Sequence, residues 1–429
     1  MKKISLDKII YILVIVVMIG LPFLKFITYI PFISNIAPYF IARIRVYFFW
    51  ISIAFLLVCY LYSVFSGKRK VGYIDYLFYF LILSLFISTT FAIDFRKSFL
   101  GADTRYEGLL TLVNYYLLAL NCKNITDKKY KKNIIKCFIF IGIFQGLYSI
   151  LQALTPFTFW NRKFSGGAHM AMGLCSNPNF FGAYMAMQLS IITIYYIKTG
   201  EWKYLGVYCL FSCALYLASS SGPVLGYILS FVLFSIVFRK NFKRILTLVL
   251  SFLIVCYSTD MCIKFVHEDL LNNKLSDRYV ISSDFVETVE KIENDNIDGI
   301  GSGRIRVWKK SLPLMKEYWL TGCGLDNFGE VFPQSGSIHF DKAHNGYIQI
   351  GVTNGIFPLI VYMFICLIVF LKGFKLKNIY SNSLFMAFVS YCILIFANIS
   401  AIDVAPYFFI ILGLLLSDEK GIKLFNKNS

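Results

Sequence analysis

Runs of about twenty apolar residues, each closed by a short polar or charged stretch, recur along the whole chain. Twenty residues of helix reach about 30 Å, the thickness of a bilayer's hydrocarbon core. The pattern predicts about twelve membrane-spanning helices, near 9–30, 46–65, 73–91, 108–120, 134–154, 180–197, 204–219, 223–238, 245–258, 346–371, 383–399 and 404–417. Lipid offers no partner to a bare N–H or C=O, so spanning segments should be helical. The expected fold class is all-α and polytopic, with one large extracytoplasmic loop. A transmembrane region fills 1–258 with about nine helices, the loop with its short helices fills 259–345, about three helices fill 346–417, and a tail follows at 418–429. The opening "MKKISLDKIIYILVIVVMIG" is basic and then apolar like a signal peptide, but no small-residue cleavage site follows, so it reads as a retained span.

Composition agrees: 58% of the 429 residues are hydrophobic and 15% charged, more apolar surface than soluble cores of this size could hide. A net charge of +18 would suggest nucleic acid in a soluble protein, yet here the Lys and Arg collect in short connections. "SGKRK" (66–70), "KNITDKKYKKN" (123–133), "KTGEWK" (198–203), "RKNFKR" (239–244), "KGFKLK" (372–377) and the tail fall on one side with the N-terminus. Positive charge accumulates on the cytoplasmic side of membrane proteins, so both termini are expected there and no nucleic acid is implied. The 11 cysteines form no CxxC pair, which speaks against zinc and redox motifs. Cys262 and Cys323 share the long outer connection and could pair.

The opposite face carries exceptions: Arg43 and Arg45, then Arg96, Lys97 and Arg105, then Arg162 and Lys163. Either they hold an anionic ligand or they sit among lipid headgroups. The connection from Ser258 to Asn345, roughly 85 residues, is far longer than a typical loop. Within it "DFVETVEKIENDN" (284–296) is helix-compatible, and "SGRIRVWKKSLPLMKEYW" (302–319) reads as an amphipathic helix interrupted by Pro313. The Gly-rich "TGCGLDNFG" (321–329) follows, and then "KAHNGYIQIGVTNGIFP" (342–358), which sets Lys342, His344 and Asn345 at the lip of an apolar run.

These stretches hold the candidate chemistry. At helical spacing Arg304 and Trp308 share a face while Arg306 points away from it. A guanidinium fork suits phosphate, and a fixed Arg can neutralise a pyrophosphate leaving group; the plainer reading is a solvated basic helix. His344 is one of four histidines, with His169, His267 and His339. An imidazole titrates near neutrality and can take a proton from an attacking hydroxyl, or the residue simply precedes a helix that Asn345 or Asp341 caps. His339 and His344, five apart, are poorly spaced for metal on one helical face. In "SNPNFFG" (176–182), Asn177 and Asn179 are short amides at a span's start, where a cap is the expected role. In "GADTRYEGLL" (101–110), Arg105 and Glu107 either pair with each other or join a phosphate site. The chain has no Walker loop, no Rossmann glycine fingerprint and no GxSxG. The first outer loop, "PFISNIAPYFIARIR", lacks Asp and Glu, so no carboxylate-held metal is expected there, and no cofactor is implied.

With "NPNFFG" before a span, "GRIRVW" leading into "LTGCGLDNF", and "AHNGYIQIGVTNG" opening the next span after a large external loop, the chain resembles the O-antigen ligase and polymerase family of bacterial polytopic membrane glycosyltransferases. The resemblance covers the whole topology, and its specific part is 302–355. It implies a glycosyltransferase C-like fold and metal-independent, inverting transfer of a glycan from an undecaprenyl-pyrophosphate carrier to the hydroxyl of a glycan, lipid or protein acceptor. The implied place is the outer face of the bacterial cytoplasmic membrane. By the resemblance His344 matches the loop histidine that serves the acceptor hydroxyl, and Arg304 the loop arginine that holds the pyrophosphate. Arg105 and Arg306 are further candidates for the donor phosphates, with Asn345, Glu107, Asn177, Asn179 and Trp308 in supporting roles. One departure stands out: relatives carry Ser-Arg-Gly at a mid-chain span's outer end, and here "ASSSGPVLG" (218–226) puts Ser221 where that arginine would be. Either Arg105 or another outer basic residue replaces it, or the donor site differs. Ligase and polymerase both fit. One competing class is a transporter or flippase without covalent chemistry, which would call for charges paired deep in the spans or helices broken in related halves; another is a structural or sensory scaffold with the outer loop as a binding module.

Overall fold

The computed structural model describes residues 5–28, 38–69, 71–103, 105–154, 171–266, 300–334 and 340–417. Among these, sixteen α-helices and no strand occur. The first ten are α1 (Leu6–Ile27), α2 (Pro38–Phe65), α3 (Tyr73–Thr90), α4 (Phe95–Leu100), α5 (Leu109–Lys123), α6 (Lys128–Leu154), α7 (Pro178–Thr199), α8 (Trp202–Leu217), α9 (Ser221–Val237) and α10 (Phe242–Lys264). After the long connection come α11 (Ile300–Glu317), α12 (Phe328–Val331), α13 (Gly346–Asn354), α14 (Ile356–Gly373), α15 (Ile379–Leu394) and α16 (Ala405–Leu416). A helix stands at every place where a span is predicted, and eight are long and apolar enough to cross a bilayer. The chain is an all-α polytopic membrane protein.

Helix α7 shows how sequence fixes position. Asn177 caps it by accepting from the Asn179 N–H, Pro178 presets its first turn, and Gly200 ends it in the left-handed region at φ 72°. Every residue from Phe180 to Ile197 is buried, so α7 is the bundle's central post, packed by α8, α9 and α15. The Nε2 amine of its buried Gln188 donates to the Phe138 carbonyl and the Tyr184 hydroxyl, both at 2.7 Å. Nearby, α16 meets α5 backbone to backbone, since a Cβ on Gly413 would stand 2.3 Å from the Ala119 carbonyl oxygen. Outer helices such as α10 leave apolar faces open, as helices surrounded by lipid do.

Three expectations need correction. The run 346–371 is two helices, not one. Gly355 breaks it at φ 95°, where a Cβ would lie 2.6 Å from the Leu320 carbonyl oxygen. Helix α11 runs through Pro313, which lies on its exposed face, so the proline does not interrupt it. Helix α10 reaches Lys264, past the expected end at 258. A small separate core then seats the long connection: Val307 and Leu314 of α11, Cys323, Phe328, Phe332, Ala343 and Val352 of α13 pack together. Burying one ring such as Phe328 is worth about 1.5–3 kcal/mol. This core holds α11, the Gly-rich turn and the His344 loop against the bundle.

Candidate active site

His344 sits one residue before the cap of α13. Asn345 is that cap: its side-chain oxygen accepts from the N–H groups of Tyr347 at 3.0 Å and Ile348 at 3.1 Å, so it fixes the helix start and not the imidazole. The Ala343 N–H donates to Gln349 Oε1 at 2.9 Å, folding the loop back on the same helix. His344 itself takes φ 51°, a left-handed conformation uncommon outside glycine. Tyr106 at φ 57° and Asp326 at φ 58° do the same in the two segments packed against it. Such residues cost about 1 kcal/mol or more each and persist where surrounding contacts over-determine them.

Ion pairs supply that determination. Arg105 grips Asp341 with two N–H groups, Nε to Oδ2 at 2.7 Å and Nη2 to Oδ1 at 3.2 Å. Lys342 is buried; it pairs with Asp326 and lies 3.6 Å from Glu107 Oε2. Asp326 Oδ2 accepts from the N–H groups of Ala102 at 2.7 Å and Glu107 at 3.2 Å, closing the 101–107 loop. Glu107 Oε1 accepts from the hydroxyls of Ser400 at 2.8 Å and Tyr115 at 3.2 Å. Arg105 and Glu107 therefore pair across to the His344 loop, and not with each other.

Proton affinities follow from these neighbours. Burial opposes the Lys342 charge, but Asp326 and Glu107 outweigh it and hold its pKa above the usual value. Burial also opposes the Asp341 carboxylate, and the Arg105 hydrogen bond and charge outweigh it, so its pKa is lowered. Glu107 is pushed up, chiefly by burial, against the pull of Lys342. His344 is half-buried and lowered to about 4 by burial and then by the Arg304 charge, with Asp341 pulling the other way. At neutral pH it is an uncharged imidazole, the form that accepts a proton.

On α11, Arg304 and Trp308 are half-buried and Arg306 is exposed, as helical spacing predicts. Of the basic residues on this end, Arg43 pairs with Asp103, Arg45 with Asp403, Lys97 with Glu330 and Arg105 with Asp341. Four cations for which an anionic ligand and lipid headgroups were the alternatives are thus paired with carboxylates of the chain itself. Asn179 accepts from the Ser220 hydroxyl at 2.6 Å, and its carbonyl accepts from Asn398 at 3.2 Å, so it ties α7 to α9 and the 395–405 turn. Ser221 is the exposed first residue of α9. Cys262 is exposed on α10, Cys323 is buried in the small core, and both thiols are free. Arg162, Lys163, His169, His267, His339 and the segment 284–296 lie outside the described residues. Beneath the Lys342 cluster a cavity of about 80 Å³ runs inward, walled by Tyr115, Tyr116, Tyr347, Tyr362, Tyr391 and Phe408.

The structure brings Arg304 close enough for its charge to act on His344; sequence reasoning missed Asp326 as a partner, gave Lys342 no role and considered Asp341 only as a cap. The available signal was the close spacing of opposite charges, Arg105 and Glu107 in one stretch and Asp341 and Lys342 in another. No curated protein matches the chain. The family described as O-antigen ligase matches residues 206–363, which span from α8 through the long connection into α14 and include both Arg304 and His344. Over that stretch, a little over a third of its length, the chain is similar to the O-antigen ligase family.

Proposed function

We propose that the protein transfers a glycan from an undecaprenyl-pyrophosphate carrier to an acceptor hydroxyl, on the outer face of a bacterial cytoplasmic membrane. The observation that carries the reading is His344: uncharged, half-buried and fixed in a left-handed conformation between the charges of Arg304 and Asp341. The acceptor oxygen attacks the anomeric carbon, and the bond from that carbon to the pyrophosphate oxygen breaks. The hydroxyl proton passes to His344, and the leaving pyrophosphate keeps the electron pair, its charge stabilised by Arg304. Inversion at the anomeric carbon follows from this single displacement. Because the chemistry rests on a base and a cation, no metal takes part.

Arg105 and Lys342 act through position. Arg105 is committed to Asp341 and Lys342 to Asp326, so these residues hold the His344 loop and do not chiefly bind the donor. Arg306, exposed on α11, meets phosphates or headgroups farther from the reacting carbon. The assay uses purified protein in detergent with a lipid-pyrophosphate-linked oligosaccharide and candidate acceptors. Release of undecaprenyl pyrophosphate by wild type that vanishes in His344→Ala supports the reading, and a ladder of products assigns a polymerase and a single addition a ligase. Equal release from both proteins removes His344 from the chemistry. Lipid flipping in vesicles that is indifferent to His344→Ala, with no release, would establish the transporter alternative.

A further inference from the structure

Several large apolar side chains outside the spanning helices stand open at the His344 end of the bundle. Phe91 is 67% exposed, Leu312 57%, Leu320 57%, Ile93 55% and Trp319 50%. They belong to three segments that touch. The Ile93 N–H donates to the Cys323 carbonyl at 3.1 Å, and the Ile356 N–H to the Trp319 carbonyl at 2.7 Å. The Trp319 ring lies 5.9 Å from that of Phe357, in the first turn of α14. The patch therefore runs without interruption from the end of α3, across the turn after α11, onto α14, whose Ile360 and Phe364 are exposed apolar residues of a span. In water a continuous apolar surface of this kind is unusual and marks an interaction face.

Charge identifies the partner. At 3.6 residues per turn Lys309 and Lys316 fall within about 60° of Leu312 around α11. Long ammonium side chains beside an apolar residue are the pattern of a helix lying in a membrane interface, cations among headgroup phosphates and hydrocarbon below. Trp319 at the turn suits the same level, where indole rings concentrate.

We infer that the C-terminal half of α11 and the 319–323 turn rest in the lipid leaflet at the His344 end of the bundle, with Leu312, Trp319, Leu320, Phe91 and Ile93 in the acyl region and Lys309 and Lys316 at the phosphates. The long connection is thus a membrane-seated element, and its immersed end sets the depth at which Arg304, farther along the same helix, meets anything carried in that leaflet. The inference does not depend on glycosyl transfer.

The test reconstitutes the full chain in phosphatidylcholine nanodiscs and compares wild type with Trp319→Phe. The fluorescence lost in the variant belongs to Trp319, and its quenching by lipids brominated on their acyl chains is set against quenching by aqueous iodide. Loss of at least half of that component to bromolipid, with little effect of iodide, is the expected result. Strong iodide quenching with none from bromolipid would overturn it. A tryptophan added as Leu312→Trp reports independently of whether Trp319→Phe folds, and it should show the same preference; quenching of it by iodide alone would equally refute the placement.

Discussion

Removing the Arg304 charge should raise the proton affinity of His344, while removing the Asp341 charge should lower it. His344 is held at about 4, against 6.5 for an ordinary histidine, by burial first and the Arg304 cation second, with Asp341 opposing. A like charge at close range in a partly buried site moves a pKa by about one pH unit, about 1.4 kcal/mol. Arg304→Gln should therefore carry the midpoint to about 5 and not to 6.5, because burial remains. Diethyl pyrocarbonate acylates neutral imidazole, and mass spectrometry of the peptide bearing His344 reads the rate at each pH. At pH 5 about nine-tenths of wild-type His344 is neutral, and about half in Arg304→Gln, so the variant should react nearly twofold more slowly there and equally fast at pH 7. Asp341→Asn should keep full reactivity at pH 5. The reasoning fails if Arg304→Gln matches wild type at pH 5, if both variants move the midpoint the same way, or if Arg304→Gln alone restores 6.5.

Other outcomes follow from the same geometry. Lys342→Met leaves Asp326 and Glu107 buried and facing one another, a loss of about 3–5 kcal/mol visible as a lowered melting temperature in detergent, and Lys342→Met combined with Asp326→Asn and Glu107→Gln should recover most of it. Gly355→Ala forces a Cβ into the Leu320 carbonyl at a positive φ, so it should cost more than about 1 kcal/mol in stability and reduce turnover by displacing α13. Asn345→Ala removes a cap and should cost about 1 kcal/mol in thermal stability, with Asn345→Asp restoring it. Glycan transfer should survive chelation by EDTA; its abolition, reversed by added divalent cation, would refute the metal-independent scheme.

The helical bundle was legible because lipid leaves the backbone one solution and apolar run length reports it directly. The break at Gly355 was passed over because the Asn354-Gly355 turn signal sits inside a longer apolar run, while the contact that fixes the turn is a carbonyl of Leu320 distant in sequence. Helical spacing correctly separated Arg304 from Arg306, since both lie on one helix and local geometry suffices. It could not find Asp326 as the partner of Lys342, because that contact joins two loops whose approach depends on the small core around Phe328. Nor could it choose between the alternatives for Arg105 and Glu107, because each meets a partner in the loop that carries His344. Pro313 was overweighted, since an exposed face of a helix already seated by tertiary contacts accommodates a proline that an isolated helix would not.

The two ion-paired segments carry charge in crossed order. Arg105 precedes Glu107 in one and Asp341 precedes Lys342 in the other, and the observed alignment matches plus to minus at both positions. Displacing either segment until Arg105 met Lys342, or Glu107 met Asp341, would set like charges together in a buried place. The pattern is thus a key as much as a clamp, admitting one alignment of the two loops and repelling its neighbours. Exchanging one pair, Arg105→Glu with Asp341→Arg, should restore the ion pair that either exchange alone destroys, but it makes the charges within each segment alike and so should no longer exclude the displaced alignment.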